Sequence, residues 1–94
     1  MQQTKQQPLF PLGQIVATPG ALTALEKAGQ TPTEFLTRHV RGEVCEEDRK
    51  ENQLSLERGF RLLSSYRTNA NDVKVYVITE ADRSVTTILL PEEY

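Results

Sequence analysis

One cysteine, one histidine and no tryptophan occur among the 94 residues of this chain. With Cys45 alone, no intramolecular disulfide can close and no cysteine-rich zinc site can be built. Such sparing use suits a reducing compartment. Long apolar runs are also missing. The longest are a few residues, far short of the ~20 that span a bilayer. The opening residues Met1, Gln2, Gln3, Thr4, Lys5, Gln6 and Gln7 have one positive charge and no apolar stretch, so they do not read as a signal peptide. A cytoplasmic protein is the expectation. The net charge of −2 exerts no global pull on nucleic acid or anionic lipid. Glycine-rich cofactor loops and metal-ligand spacings are absent, so neither cofactor nor metal is implied.

What is there suits one globular domain. Hydrophobic residues make up 37% of the chain and charged residues 26%, and a chain of this length hides roughly 60–65% of its surface on folding. Residues 1–11 read as a flexible or extended N-terminal segment, polar and glutamine-rich at first. Within it Pro8 and Pro11 bracket Leu9 and Phe10, an apolar clip suited to lie across a core. A single α+β domain follows over 12–94. Residues 13–17 read as a short strand or an extended segment.

Two helix starts obey one rule. Thr18-Pro19 and Thr31-Pro32 each put a hydroxyl at the N-cap and proline at the first helical position. Glu34, three residues after Thr31, completes a capping box. The first helix is expected over 19–28, with Leu22, Leu25 and Ala28 on one face and Gly29 as its stop. The second is expected over 32–40, bringing Phe35, Leu36 and His39 together. The two make an αα-hairpin. A third helix is expected over 45–58. Its first turn carries Glu46, Glu47 and Asp48, which favours the positive end of the helix dipole, and its apolar stripe is thin.

The remainder reads as a three-stranded antiparallel meander with the helices on one face. Strands are expected over 60–67, 73–79 and 85–90. A turn of Asn69, Ala70, Asn71 and Asp72 separates the first two. Val73, Val75 and Val77 alternate with Lys74, Tyr76 and Ile78. Between the last two strands, Glu80, Ala81, Asp82, Arg83 and Ser84 put three charges and a hydroxyl into five residues. Folding asks only for a polar turn there.

That turn holds the main candidates. Arg83 pairs with Asp82 or reaches out to an anion. Arg61 and Arg67 share one face of the first strand, and Ser84 and Thr86 share one face of the third. If those faces coincide, an arginine–hydroxyl surface forms that takes phosphate or an acidic partner. His39 is a catalytic candidate only beside a nucleophile or carboxylate; the blander reading is a hydrogen-bonded histidine on an apolar helix face. Cys45 opens an acidic helix and reads as a small structural residue. The cluster of Glu46, Glu47, Asp48 and Glu51 reads as a solvated first turn. On the second helix, Thr33, Thr37, Arg38 and Arg41 would face a DNA groove if the hairpin were a helix-turn-helix, although the basic content is small. The apolar Leu89 and Leu90 so near Tyr94 suggest a docked final segment.

Three stretches carry a resemblance. Gly13-Gln-Ile-Val-Ala-Thr-Pro-Gly-Ala-Leu22, Glu34-Phe-Leu-x-Arg-His39 and Ile78-Thr-Glu-Ala-Asp-Arg-Ser-x-Thr-Thr-x-Leu-Leu-Pro-Glu-Glu-Tyr94 look like a family of small "plasmid-related" proteins. These are carried on plasmids and integrated mobile elements and are sometimes labelled a type I restriction methylation subunit. The likeness covers about 12–94 and implies no catalytic residue. A methyltransferase domain does not fit in 94 residues, and no Asn-Pro-Pro-Tyr motif is present. A second likeness concerns layout alone. Helices followed by an antiparallel meander resemble barnase-type ribonucleases, which use a strand glutamate as base and a histidine from the last turn as acid. Glu80 stands at the first position, but Arg83 occupies the second.

The resulting expectation is a non-enzymatic accessory protein of mobile elements, with a counter-defence role among the uses that setting suggests. It would bind a host or element-encoded protein through Arg61, Arg67, Glu80, Asp82, Arg83, Ser84 and Thr86. One alternative is a ribonuclease or toxin using Glu80, Arg83 and His39. Another is a DNA-binding helix pair. Exposed strand edges would also allow an oligomer.

Overall fold

A computed structural model describes residues 9–70 and 72–94 of the chain. The polar stretch 1–8, expected to fray, and Asn71 of the expected turn lie outside the described residues. The elements run β1 (Gln14–Ala17), α1 (Pro19–Ala28), α2 (Pro32–Val40), α3 (Glu46–Arg58), β2 (Leu62–Arg67), β3 (Lys74–Thr79), β4 (Val85–Leu89) and a final 3₁₀ turn (Pro91–Glu93).

The class is α+β, with three helices among the described residues. The sheet departs from the expected three-stranded antiparallel meander. It has four strands in the order β1-β4-β3-β2. The meander is present as β2, β3 and β4, and β1 adds to it in parallel, pairing Gln14 with Val85 and Ala17 with Ile88. Four residues are too few for a period to announce a strand, and its partner lies some seventy positions on. Gly13 makes the addition possible. Its φ is +68°, and a Cβ there would collide with the Arg83 and Ser84 carbonyls. Only glycine lets the chain pass this close under the turn.

The helix boundaries follow their caps. Thr18 accepts from the Ala21 amide at 3.1 Å, and Gly29 ends α1 at φ 71°. The buried stripe of α1 is Ala21, Ala24 and Leu25, while Leu22 is 46% exposed. The helix is thus turned from the expected Leu22–Leu25–Ala28 face, presenting its alanines inward. The capping box at Thr31 does not form. Glu34 instead accepts from Gln30 Nε2 at 2.8 Å, and Gln30 Oε1 accepts from the Asn69 amide at 2.8 Å. One glutamine thereby ties the α1–α2 connection to the β2–β3 turn.

On the helix-covered face, Phe35, Leu25, Ala21 and Leu36 meet Tyr66, Val75, Val77 and Ile88. The pairing of Tyr66 with Val75 and of Val77 with Ile88 puts these residues in one phase of the pleat. α3 has a different task. It lies along the outer edge of β2, and its buried contacts are polar. Asp48 Oδ2 accepts from the Ser65 amide (3.1 Å) and hydroxyl (3.0 Å). One turn on, Asn52 Oδ1 accepts from the Leu63 amide at 2.9 Å. The i, i+4 spacing of a helix thus matches the every-second-residue donors of an edge strand. This explains the thin apolar stripe.

Candidate functional site

The core phase of the sheet contains three hydroxyls where aliphatic side chains are usual. Ser64 on β2, Thr79 on β3 and Thr86 on β4 are all fully buried, and His39 of α2 is 1% exposed among them. His39 Nδ1 lies 2.6 Å from Ser64 Oγ, and Nε2 lies 3.0 Å from Thr79 Oγ1. Thr79 Oγ1 lies 2.7 Å from Thr86 Oγ1, which donates to the Leu12 carbonyl at 2.7 Å. At the other end Asn52 Nδ2 donates to Ser64 Oγ at 3.4 Å.

Counting protons assigns every direction. Thr86 has one hydroxyl proton and gives it to Leu12, so Thr79 is the donor to Thr86. Thr79 must then accept from His39, which places the imidazole proton on Nε2. The bare Nδ1 accepts from Ser64. The chain Ser64→His39→Thr79→Thr86→Leu12 is complete with a neutral imidazole. Burial agrees, holding the His39 pKa down to about 4.

Phe10 closes this chain from outside. Its ring is 8% exposed and meets the imidazole edge-on, with centroids 5.0 Å apart. The Arg83 guanidinium lies 6.0 Å from the centroid of the same ring. Leu9 anchors the segment through its amide to the Val40 carbonyl at 2.8 Å. The apolar clip expected of Leu9 and Phe10 is therefore a plug at Phe10, while the Leu9 side chain is 54% exposed.

The turn at 80–84 is internally tied. Asp82 Oδ1 accepts from the Ser84 amide at 3.0 Å and the Ser84 hydroxyl at 2.6 Å. The Ser84 hydroxyl bond holds the Asp82 carboxyl below its ordinary range. Arg83 has φ 61°. Its Nη1 donates to the carbonyls of Phe60 (2.7 Å), Glu80 (3.1 Å) and Ala81 (3.1 Å), and Nη2 to that of Ser55 at 3.5 Å. The guanidinium thus clamps the turn to the C-terminal end of α3. Arg83 faces backbone oxygens, and Asp82 faces Ser84 rather than Arg83. The Glu80 side chain is half-buried at the turn.

The proposed arginine–hydroxyl surface is not assembled. Thr86 shares the helix-covered phase with Thr79 and Leu62, whereas Arg67 pairs with Lys74 on the opposite phase. Arg67 instead meets Asp72 at 3.5 Å, and Arg61 Nη1 donates to the Tyr94 hydroxyl at 2.8 Å. Tyr94 in turn meets the Tyr76 ring edge-on at 6.0 Å. Among the described residues the side chains of Glu80, Arg83 and His39 make no hydrogen bond to one another: the imidazole bonds Ser64 and Thr79, and the guanidinium holds backbone carbonyls, that of Glu80 among them. On α2, Arg41 meets Glu43 at 3.9 Å and Arg38 lies over the Tyr66 ring at 4.5 Å. Sequence reasoning passed over Ser64, Thr79 and Asn52. The readable signal was a polar residue in phase with Val75, Val77 and Ile88.

Among the described residues, no group of three or more His, Cys, Asp or Glu side chains is placed to hold a metal ion, and no helix is long and apolar enough to cross a membrane. No family model, curated protein or solved structure matches the chain.

Proposed function

We propose that this chain is a non-enzymatic accessory protein that works by docking another protein at the Arg83-clamped end of its sheet. The observation that carries the reading is Phe60. It is 52% exposed, yet its own carbonyl is held by Arg83, so a large apolar side chain stands on a rigid mount. Arg61, the next residue, donates to the Tyr94 hydroxyl at 2.8 Å, and Tyr94 is 66% exposed. Exposed aromatics beside arginine on a rigid frame are the composition of interface hot spots. Glu80 and Asp82 add negative charge at the rim, which suits a partner with an apolar pocket bordered by basic groups.

Such a partner would be host- or element-encoded, in keeping with the resemblance to plasmid-borne proteins. The test is native capture of a stoichiometric partner, then titration with both proteins purified. Phe60→Ser, with the fold verified by circular dichroism, is expected to weaken the complex by about 2 kcal/mol or more. Leu54→Ser, on α3, leaves it unchanged. Equal binding by both variants defeats the reading. RNA cleavage that disappears in Glu80→Ala would replace it with the hydrolytic alternative.

A further inference from the structure

The fold treats the two edges of its sheet differently. α3 covers β2 through Asp48 and Asn52, whereas β1 has a neighbouring strand on one side only. We propose that the open edge of β1 takes up an extended segment of another protein, one with basic residues on either side of a short apolar stretch. This edge lies across the sheet from Phe60, and the inference does not rest on the docking surface there.

The backbone supplies the first observation. The Gln14 amide donates to the Ser84 carbonyl at 2.9 Å, and the Thr18 amide to that of Ile88 at 3.0 Å. Successive residues of a strand turn their amides and carbonyls to opposite sides, so Ile15 and Ala17 turn theirs away from β4. Among the described residues nothing pairs with them. Natural edges are blunted by charged side chains, proline or a bulge, and β1 has none of these. It exposes the apolar Ile15 and Val16 instead. Ile15 is in register with Thr86 and Val16 with Thr87. One therefore stands on each face of the sheet, and an incoming strand meets an apolar neighbour on both.

Charge selects the occupant. At one end of β1, Ser84 receives the Gln14 amide and itself donates to the Asp82 carboxylate. At the other end, the Glu93 carboxylate accepts from the Thr18 hydroxyl at 2.5 Å and from the Leu90 amide at 2.9 Å. The hydroxyls of Ser84 and Thr18 hold these two carboxyls below their ordinary range. Both are therefore charged at neutral pH, and among the described residues neither belongs to an ion pair. A second copy of the chain, paired antiparallel on its own β1, would bring Asp82 of one molecule to the end that carries Glu93 of the other. The like charges disfavour that pairing. A segment with lysine or arginine on either side of its apolar residues answers both carboxylates. Its backbone supplies the partners that Ile15 and Ala17 lack.

The test is an amide-resolved NMR titration with the end-blocked peptide Lys-Thr-Val-Ile-Thr-Lys. Saturable shifts are expected along β1 and β4 and none at Phe60. The same peptide with glutamate in place of both lysines should bind about tenfold more weakly. The lysine peptide N-methylated at its valine and isoleucine should not bind, because its backbone can no longer donate. Ile15→Pro deletes an outward amide while sparing the Gln14 bond to β4. It is expected to keep the melting temperature and to weaken binding about tenfold. Ile15→Thr, which keeps that amide, retains most of the binding. Phe60→Ser leaves it unchanged, so this edge and the docking surface fail separately. Absence of saturable shifts overturns the proposal, as does equal binding of the lysine and glutamate peptides or of the N-methylated one. So does Ile15→Pro binding as tightly as the wild type. A free chain that sediments as a dimer, and that Ile15→Pro dissociates, makes a second copy the occupant and rejects the basic segment.

Discussion

Arg83 holds a backbone conformation that glycine adopts at no steric cost, with φ at 61°. For a side-chain-bearing residue this costs on the order of 1 kcal/mol. Its guanidinium more than offsets the strain by collecting carbonyls from the turn and from the end of α3. Two variants separate the effects. Arg83→Ala keeps the strain and loses the clamp, so it is expected to destabilise by about 2 kcal/mol. Arg83→Gly loses the clamp but relieves the strain, and its loss should be about 1 kcal/mol smaller. Urea denaturation measures both. Equal stability of wild type and Arg83→Ala would show that the clamp contributes nothing. From sequence, Arg83 reads as a partner for Asp82 or as a group reaching out to an anion. The residue type was informative, but its target was not, because the Ser55 and Phe60 carbonyls belong to a distant stretch of chain.

α3 illustrates how an element can be named correctly from sequence while its purpose stays hidden. Its limits followed from the acidic first turn and from Gly59, where φ is 75°. Its polar inward stripe had no amphipathic logic until β2 was placed beside it. Asp48 and Asn52 then replace a missing neighbouring strand, satisfying the Ser65 and Leu63 amides. An uncovered edge is a template for pairing with another chain. Asn52→Ala leaves the Leu63 amide without its partner and removes the donor to Ser64, so a loss of about 1–3 kcal/mol is expected on chemical denaturation. With Asp48→Ala added, the edge is open along its length, and self-association should appear in light scattering as concentration rises. A double variant that stays monomeric and equally stable would remove α3 from this role.

The hydrogen-bonded chain through His39 reaches across three strands and makes the stability of the entire molecule depend on pH. The imidazole titrates at 6.5 in the unfolded chain and at about 4 when folded. A depressed folded pKa means that the unfolded state binds the proton more readily. The contribution is therefore fully present above 6.5, falls as pH drops through the interval, and is gone below about 4. Its size is on the order of 3 kcal/mol. Protonation would also demand that Nδ1 donate to Ser64, reversing the only arrangement that satisfies every hydroxyl. His39→Gln removes the titration, so the difference between the two stability profiles should slope through that interval and be flat outside it. Parallel profiles would exclude His39 as the source. The same chain fixes register. A slip of one residue in β3 or β4 would carry Thr79 or Thr86 to the far face and strand the imidazole.

Local chemistry in the chain determined the helices. Proline after threonine at 18–19 and 31–32, and glycine at 29 and 59, mark ends that depend on near neighbours alone. Alternation likewise made β2, β3 and β4 legible, because a strand's two faces repeat every second residue. Tertiary structure decided the rest. The parallel addition of β1, the edge-covering role of α3 and the polar chain through His39 each join segments far apart in sequence. Their energies arise from distances and registers that exist only once those segments are packed. No spacing along the chain encodes them, so Thr79 looks like any strand threonine until His39 is beside it.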